Sequence, residues 1–169
     1  HLYQDYGVEV DHVPFDGKGF VDPEAFKKKF KSNTRLVVVN HASNVLGTVQ
    51  PIEAIGRLCK EAGIVFAIDA SQSAGKVPID MKVMNIDIVA FTGHKSLMGP
   101  TGIGGLCVRE GIEIRHTRAG GTGVKSAQRR HLDEYPYRLE YGTVNVQGVA
   151  GLHAGLQWVL DKGVDTIHS

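Results

Sequence analysis

Cysteine is scarce in this chain: Cys59 and Cys107 are the only two in 169 residues. That excludes a dense disulfide framework. Cys59 falls in a segment that reads as an amphipathic helix and Cys107 in an apolar strand, so both are expected to be buried thiols in a reducing compartment. Long apolar runs are also missing. None approaches the ~18 residues of a membrane span, and no signal peptide is visible. The expectation is a cytoplasmic protein with no membrane partner. Nor does charge of either sign dominate. Lys and Arg number 19 against 18 Asp and Glu, a net charge of +1 with a pI near 8.0, so no broad basic field for nucleic acid is implied. His94, His116, His131 and His153 do not stand at metal-ligand spacing with cysteines or paired carboxylates, and no metal site is assigned. No Gly-x-Gly-x-x-Gly follows a first strand, which counts against a dinucleotide-binding domain. Repeats and low-complexity segments are lacking. The first residue is His1, so the sequence reads as an excerpt or a processed product.

Glycine, by contrast, is abundant. The chain holds 21, well above the usual ~7%, clustered at Gly99 to Gly105 and Gly120 to Gly123. Such clusters point to close backbone approach in ordered loops. The length suits one domain with a real core.

The pattern along the chain alternates strands and helices. Val8 to Val13 alternates like a strand, and Asp16-Gly17-Lys18-Gly19 reads as a turn. Asp22-Pro23-Glu24 then has the cap, first-position proline and first-turn acid of a helix start. Phe26 and Phe30, four apart, face the core there, while Lys27-Lys28-Lys29 forms a solvated face. Arg35 to Asn40 is a buried-strand run, Pro51 opens a helix to Glu61 and Gly63 stops it. Ile64 to Ile68 is the next strand, Asp80 to Asn85 a helical turn, and Ile86 to Phe91 a further strand. This order predicts βαβ units and a mostly parallel sheet. Ile103 to Arg109 reads as a strand whose short connection favours an antiparallel neighbour. Val146 to Asp161 is a long helix with Val149, Leu152, Leu156, Val159 and Leu160 on its buried side.

Two segments carry chemistry. Phe91-Thr92-Gly93-His94-Lys95-Ser96-Leu97-Met98-Gly99 presents one lysine on a turn after an apolar strand. A lysine so placed can condense with an aldehyde as a neutral amine. Thr92 and His94 supply donors for a phosphate, and Gly93 lets backbone approach it. Aldehyde and phosphate in one ligand describe pyridoxal 5'-phosphate (PLP). Upstream, the strand ending at Ile68 delivers Asp69 to its carboxyl end, where ligands sit in open α/β sheets. A carboxylate there holds the pyridine nitrogen protonated, which makes the ring an electron sink. Gln72 is placed to donate to the phenolate oxygen. The bland reading of Asp69 is a cap on a turn. Its company with Gln72, His94 and Lys95 argues against that.

In order along the chain stand Asn40-His41-Ala42-Ser43-Asn44-Val45-Leu46-Gly47-Thr48, Asp69-Ala70-Ser71-Gln72, Thr92-Gly93-His94-Lys95 and Gly99-Pro100-Thr101-Gly102. Together they resemble the class V aminotransferases, and within them the cysteine desulfurases and selenocysteine lyases. The resemblance implies the large domain of a fold-type I PLP-dependent transferase. In that picture residues 1–169 are its central part, and an N-terminal anchor and a C-terminal small domain lie outside. It implies that Lys95 carries the cofactor and then serves as a proton-transfer base. Asp69 keeps the pyridinium charged, Gln72 and Asn44 face the phenolate oxygen, and Thr92 and His94 hold the phosphate. Asn44 would also face the substrate carboxylate.

Glu140-Tyr141-Gly142-Thr143-Val144-Asn145 resembles a family motif whose threonine, here Thr143, reaches the neighbouring subunit's phosphate. Val144 stands where proline is usual. Residues 119–123, Ala-Gly-Gly-Thr-Gly, read either as an anion nest of backbone N–H groups or, by resemblance, as a loop crossing a dimer interface. His41 is read as a local hydrogen-bonding residue of its loop.

The implied reaction is removal of sulfur from L-cysteine to give alanine and an enzyme persulfide, in a homodimer that hands sulfur to an acceptor protein. The nucleophilic cysteine and the substrate-binding arginine are expected outside this chain, which is therefore expected to be inactive alone. Another class V reaction (transamination, selenocysteine cleavage or kynureninase-like chemistry) would use the same Asp69 and Lys95. A non-catalytic dimerising module is the alternative from a different class.

Overall fold

Asp22 opens a helix as its sequence requires. The computed structural model describes residues 5–125 and 127–169, and in it α1 spans Pro23–Lys29. The Asp22 carboxylate accepts the Glu24 N–H at 3.0 Å, a cap whose loss to alanine costs about 1 kcal/mol. Phe26 is buried and Phe30 is partly buried against the same core.

Four strands follow: β1 (Leu36–Asn40), β2 (Val65–Asp69), β3 (Ile88–Thr92) and β4 (Gly104–Val108). They lie side by side in that order. β1, β2 and β3 are parallel, and β4 runs antiparallel to β3, as the short connection between them favours. Helix α2 (Ile52–Ala62) joins β1 to β2, and Gly63 ends it in the left-handed region at φ 65°. Its buried residues Ile52, Ile55, Gly56 and Cys59 recur at helical spacing, so one stripe faces the sheet. Gly56 is obligatory in that stripe, because a β-carbon there would overlap the Met84 carbonyl oxygen.

The core lies on one face of the sheet. Val37, Val39, Phe66, Ile68 and Val89 meet Ile55 and Cys59 of α2, each large apolar side chain contributing about 1.5–3 kcal/mol by leaving water. Asp87 ties the strands together where they begin. Its carboxylate accepts the Phe66 N–H at 2.8 Å and the Arg109 guanidinium, and its own backbone bonds Phe66 and Arg109. The opposite face bears Leu36 and Val38 of β1 and Leu106 of β4, all exposed.

Helix α3 (Val146–Lys162) packs on the loop after β3, and α4 (Val164–His168) follows Gly163. Its contact stripe is Gly148, Gly155 and Val159, with Leu152 and Leu156 half-buried. Val149 and Leu160, expected inside, are exposed. Gly151 and Gly155 let the helix approach Pro100 and the Leu97–Met98 backbone closely, and its contact line turns away from those two side chains. Two further expectations are corrected. Residues 8–13 form no strand. A groove of about 1260 Å³ separates them from the edge of β1, so the alternating pattern finds no ladder to join. Cys107 is exposed rather than buried, because β4 is the sheet's outer strand and nothing described covers it. No described helix is long and apolar enough to cross a membrane.

Candidate active site

Because β1, β2 and β3 are parallel, their carboxyl ends share one edge of the sheet. Asp69 is the last residue of β2 and Thr92 the last of β3. Asn44 lies four residues past β1, Gln72 three past β2, and Lys95 three past β3. Gly104, the first residue of the antiparallel β4, pairs with Thr92, so the loop 99–103 also opens on this edge. Six of the seven predicted site residues thus stand at the ends of three adjacent parallel strands or on the loops that follow them. Thr143 is not brought to this edge by any described contact; two residues on, the Asn145 side chain donates to the Gly102 carbonyl at 3.3 Å and ties the start of α3 to the loop 99–103.

Asp69 is exposed and alternates with Val65 and Ala67 on the open face, with Asn40 and Ala90 as its neighbours across the strands. One carboxylate oxygen accepts the Ser71 N–H at 2.8 Å. The other has no partner among the described residues and is free for a ligand donor. The small side chains of Ala67 and Ala90 beside it keep the surface shallow, which suits a flat ring laid against it.

The lysine turn is tightly tied. Gly93 N–H donates to the Ile103 carbonyl, Gly99 N–H to the Gly93 carbonyl and Met98 N–H to the Lys95 carbonyl, at 2.8, 2.8 and 2.9 Å. Met98 adopts φ 59° to close the loop, a conformation that costs a non-glycine residue about 1 kcal/mol or more. A β-carbon on Gly93 would stand 2.7 Å from an Ile103 methyl, so glycine is needed there for packing. Lys95 is half-buried, and its amine forms no hydrogen bond or ion pair with the described residues. Beside it the Thr92 hydroxyl and His94 Nδ1 lie 2.7 Å apart. An uncommitted amine, a hydroxyl–imidazole pair and a half-free carboxylate on one edge form a donor set that fits PLP.

Sequence reasoning left Ser73 unremarked. It is fully buried, and its hydroxyl lies 2.8 Å from His41 Nδ1. His41 is itself buried, and burial pushes its pKa below the usual histidine value. His41 is a hydrogen-bonding residue as expected, but its partner is 32 residues away and not local to its loop. No local sequence signal marks such a pair.

The glycine segment 119–123 and the 140–145 motif meet one another. Gly142 N–H donates to the Gly121 carbonyl at 2.7 Å, and Arg118 donates to the Tyr141 hydroxyl at 2.6 Å. Among the described residues no group of three His, Cys, Asp or Glu side chains is placed to hold a metal.

Asp69 at the end of β2 and Lys95 three residues past the end of the adjacent parallel β3 share one sheet edge, an arrangement of the α/β enzyme class that binds its ligand at the strands' carboxyl ends. The family model for Aminotransferase class-V matches residues 1–169, and the chain belongs to that family. It is 37% identical over 165 residues to a probable cysteine desulfurase of Pyrococcus abyssi, covering 95% of this chain and 41% of that protein. A cysteine desulfurase IscS of Clostridium botulinum is 44% identical over 156 residues, covering 92% and 36%. Among solved structures, the apo cysteine desulfurase of Thermococcus onnurineus superposes with a TM-score of 0.81 at 34% identity, covering 99% of this chain and 42% of that one. The cysteine desulfurase CsdA of Escherichia coli gives 0.85 at 30%, covering 98% and 42%. The chain spans about two-fifths of the length of these relatives, and its α/β fold is that of the corresponding part of a fold-type I enzyme.

Proposed function

We propose that the protein containing this chain is a PLP-dependent cysteine desulfurase, and that this chain supplies the part of the large domain that holds the cofactor. The observation that carries the reading is the delivery of Asp69 and Lys95 to one sheet edge by adjacent parallel strands. The named relatives support the sulfur substrate, and one matched structure is described as SspA in complex with cysteine.

PLP when bound would supply an electron sink for an amino acid attached through its amine. Lys95 would hold the cofactor through its amine and would hold and move the proton of the substrate's α-carbon. Asp69, through its uncommitted oxygen, would keep the ring nitrogen protonated. Gln72 and Asn44 would donate to the ring's oxygen, and Asn44 would also meet the substrate carboxylate. Thr92 and His94 would donate to the phosphate, and Thr143 would reach the phosphate of a second subunit in a homodimer.

The sulfur-attacking thiolate must come from elsewhere in the longer protein. Cys59 is fully buried, and desolvation, with Asp87 nearby, pushes its thiol up to about 12. Cys107 lies on an outer strand away from the lysine turn in sequence. The persulfide is then passed to a sulfur-acceptor protein in the cytoplasm.

Borohydride reduction of the full-length protein with PLP, followed by peptide mapping, tests the reading. The pyridoxyl group is expected on Lys95, and Lys95→Ala should abolish it. Label on Lys76, Lys82 or Lys125 with Lys95 unmodified would overturn the assignment.

A further inference from the structure

The turn that carries Asp69 and Gln72 is gripped at both ends by one residue of the neighbouring loop. His41 N–H donates to the Asp69 carbonyl at 2.9 Å, and the His41 ring meets the Ser73 hydroxyl at 2.8 Å. Asp69 and Ser73 bracket the turn, and Gln72 lies inside it. His41 is in turn fixed by its own carbonyl, which accepts the Gln50 N–H at 2.8 Å where the loop bearing Asn44 closes. Ala70 N–H donates to the Ala90 carbonyl of β3 at 2.8 Å, so the turn is held from the lysine side as well.

Both members of the His41–Ser73 pair are shut away, His41 at 3% exposure and Ser73 at 0%. A hydrogen bond so enclosed has no water to replace it; losing the hydroxyl leaves the His41 nitrogen unpaired, and losing the imidazole leaves the hydroxyl only a long 3.5 Å bond to the Ala70 carbonyl. Among the described residues no other side-chain hydrogen bond joins the loops after β1 and β2. His41 faces no acid and no metal-like cluster, so its ring has no evident chemical duty of its own. What its two bonds do is fix the height and tilt of the turn.

We propose that His41 is a positioning residue, whose backbone and imidazole clamp the turn 69–73 so that the Asp69 carboxylate and the Gln72 amide are set against the cofactor ring. Ser73 is the clamp's second jaw. The proposal rests on the PLP reading above and concerns residues that do not touch the cofactor. A clamp of this kind tunes the ring's electronics through Asp69 and Gln72. Its loss therefore shows in the colour of the bound cofactor as well as in its affinity.

The test uses the full-length enzyme and three variants. Ser73→Ala deletes the hydroxyl at nearly constant volume. His41→Phe keeps a ring without a hydrogen-bonding nitrogen. His41→Asn keeps an amide at the reach of Nδ1 and is the rescue. Each is read by PLP affinity of the apoenzyme, by the wavelength and pH midpoint of the visible band after reconstitution, and by the apoenzyme's melting temperature. Ser73→Ala and His41→Phe are expected to weaken PLP about tenfold and to move the band's midpoint. His41→Asn is expected to restore both. Should His41→Phe fail to fold, Ser73→Ala carries the comparison, since it removes a single atom. A fall in melting temperature with affinity and band unchanged would overturn the proposal and leave the pair a structural bond. Absence of any PLP band in the wild-type enzyme is a different result, which fells the functional reading itself.

Discussion

Gly155 of α3 lies against the Leu97 carbonyl so closely that a β-carbon on it would overlap the oxygen, and would stand 2.7 Å from the Met98 carbonyl carbon. Both atoms are backbone and belong to the loop that presents Lys95. The helix therefore seats directly on the lysine loop, and the loop's shape depends on that seat.

Gly155→Ala is accordingly expected to push α3 off the loop. Alanine is the better helix former by about 1 kcal/mol, yet overpacking against rigid backbone costs about 1–3 kcal/mol, so the net change is destabilising. Chemical denaturation of the full-length protein should show it as a lower midpoint. PLP uptake should fall with it. An exposed control on the same helix, Ala154→Gly, should lose only the propensity difference and keep normal uptake.

Much of the site was legible because it depends on local pattern. Asp22-Pro23-Glu24 and Gly63 mark helix ends through backbone chemistry that acts within a few residues, and both stand where expected. The parallel edge follows from strands alternating with helices, a pattern that sets Asp69 and Lys95 on one side of the sheet. What stayed hidden is long-range. His41–Ser73 joins residues 32 apart, and each alone looks like any loop polar residue. Val149 and Leu160 satisfy a helical stripe, but the contact line was set by Gly151 and Gly155, whose signal is a missing side chain. Residues 8–13 have strand alternation without a neighbouring strand, and alternation alone cannot supply one. Cys107 lies in an apolar run on an outer strand, where composition says buried and position says exposed.

His41 predicts a pH dependence of stability. Its folded pKa is lowered by burial, so the unfolded chain binds a proton more readily than the native one. The stability it contributes is full above the unfolded value near ~6.5 and is lost as pH falls below it. Asp11, held low by Lys31, and Asp16, held low by backbone N–H groups, lose their contributions only below the ordinary carboxylate range. Urea unfolding of wild type and His41→Asn at pH 7.5 and 5.5 isolates the histidine. The wild type should lose more stability than the variant over that interval, and equal slopes would remove His41 as the cause.

The two cysteines should differ sharply in reactivity. The thiolate is the reactive form, and the Cys59 thiol is pushed up to about 12 inside the core, so at neutral pH it is both protonated and inaccessible. Cys107 is exposed on β4. Mass-spectrometric mapping after brief iodoacetamide treatment of the native chain should find the label on Cys107, with Cys59 modified only after denaturant is added. Labelling of Cys59 in the native state would place it outside the core described for α2.

Asp69→Asn separates binding from electronics. The carboxylate's one internal bond is to the Ser71 N–H at 2.8 Å, and an asparagine oxygen accepts the same bond. The fold should therefore be nearly unchanged, with a melting temperature close to wild type. Lys95 is untouched, so PLP should still attach there and survive borohydride reduction as a labelled peptide. On the proposed reading, what is lost is the negative charge that would keep the ring nitrogen protonated, and with it the ring's capacity to withdraw electrons. Turnover of L-cysteine to alanine by the full-length variant should fall on the order of a hundredfold or more, the scale of losing one preorganised electrostatic contact. The visible band should shift while cofactor content stays near stoichiometric. Full activity in an Asp69→Asn enzyme that retains its labelled Lys95 would show that another group protonates the ring, and would strip Asp69 of its role.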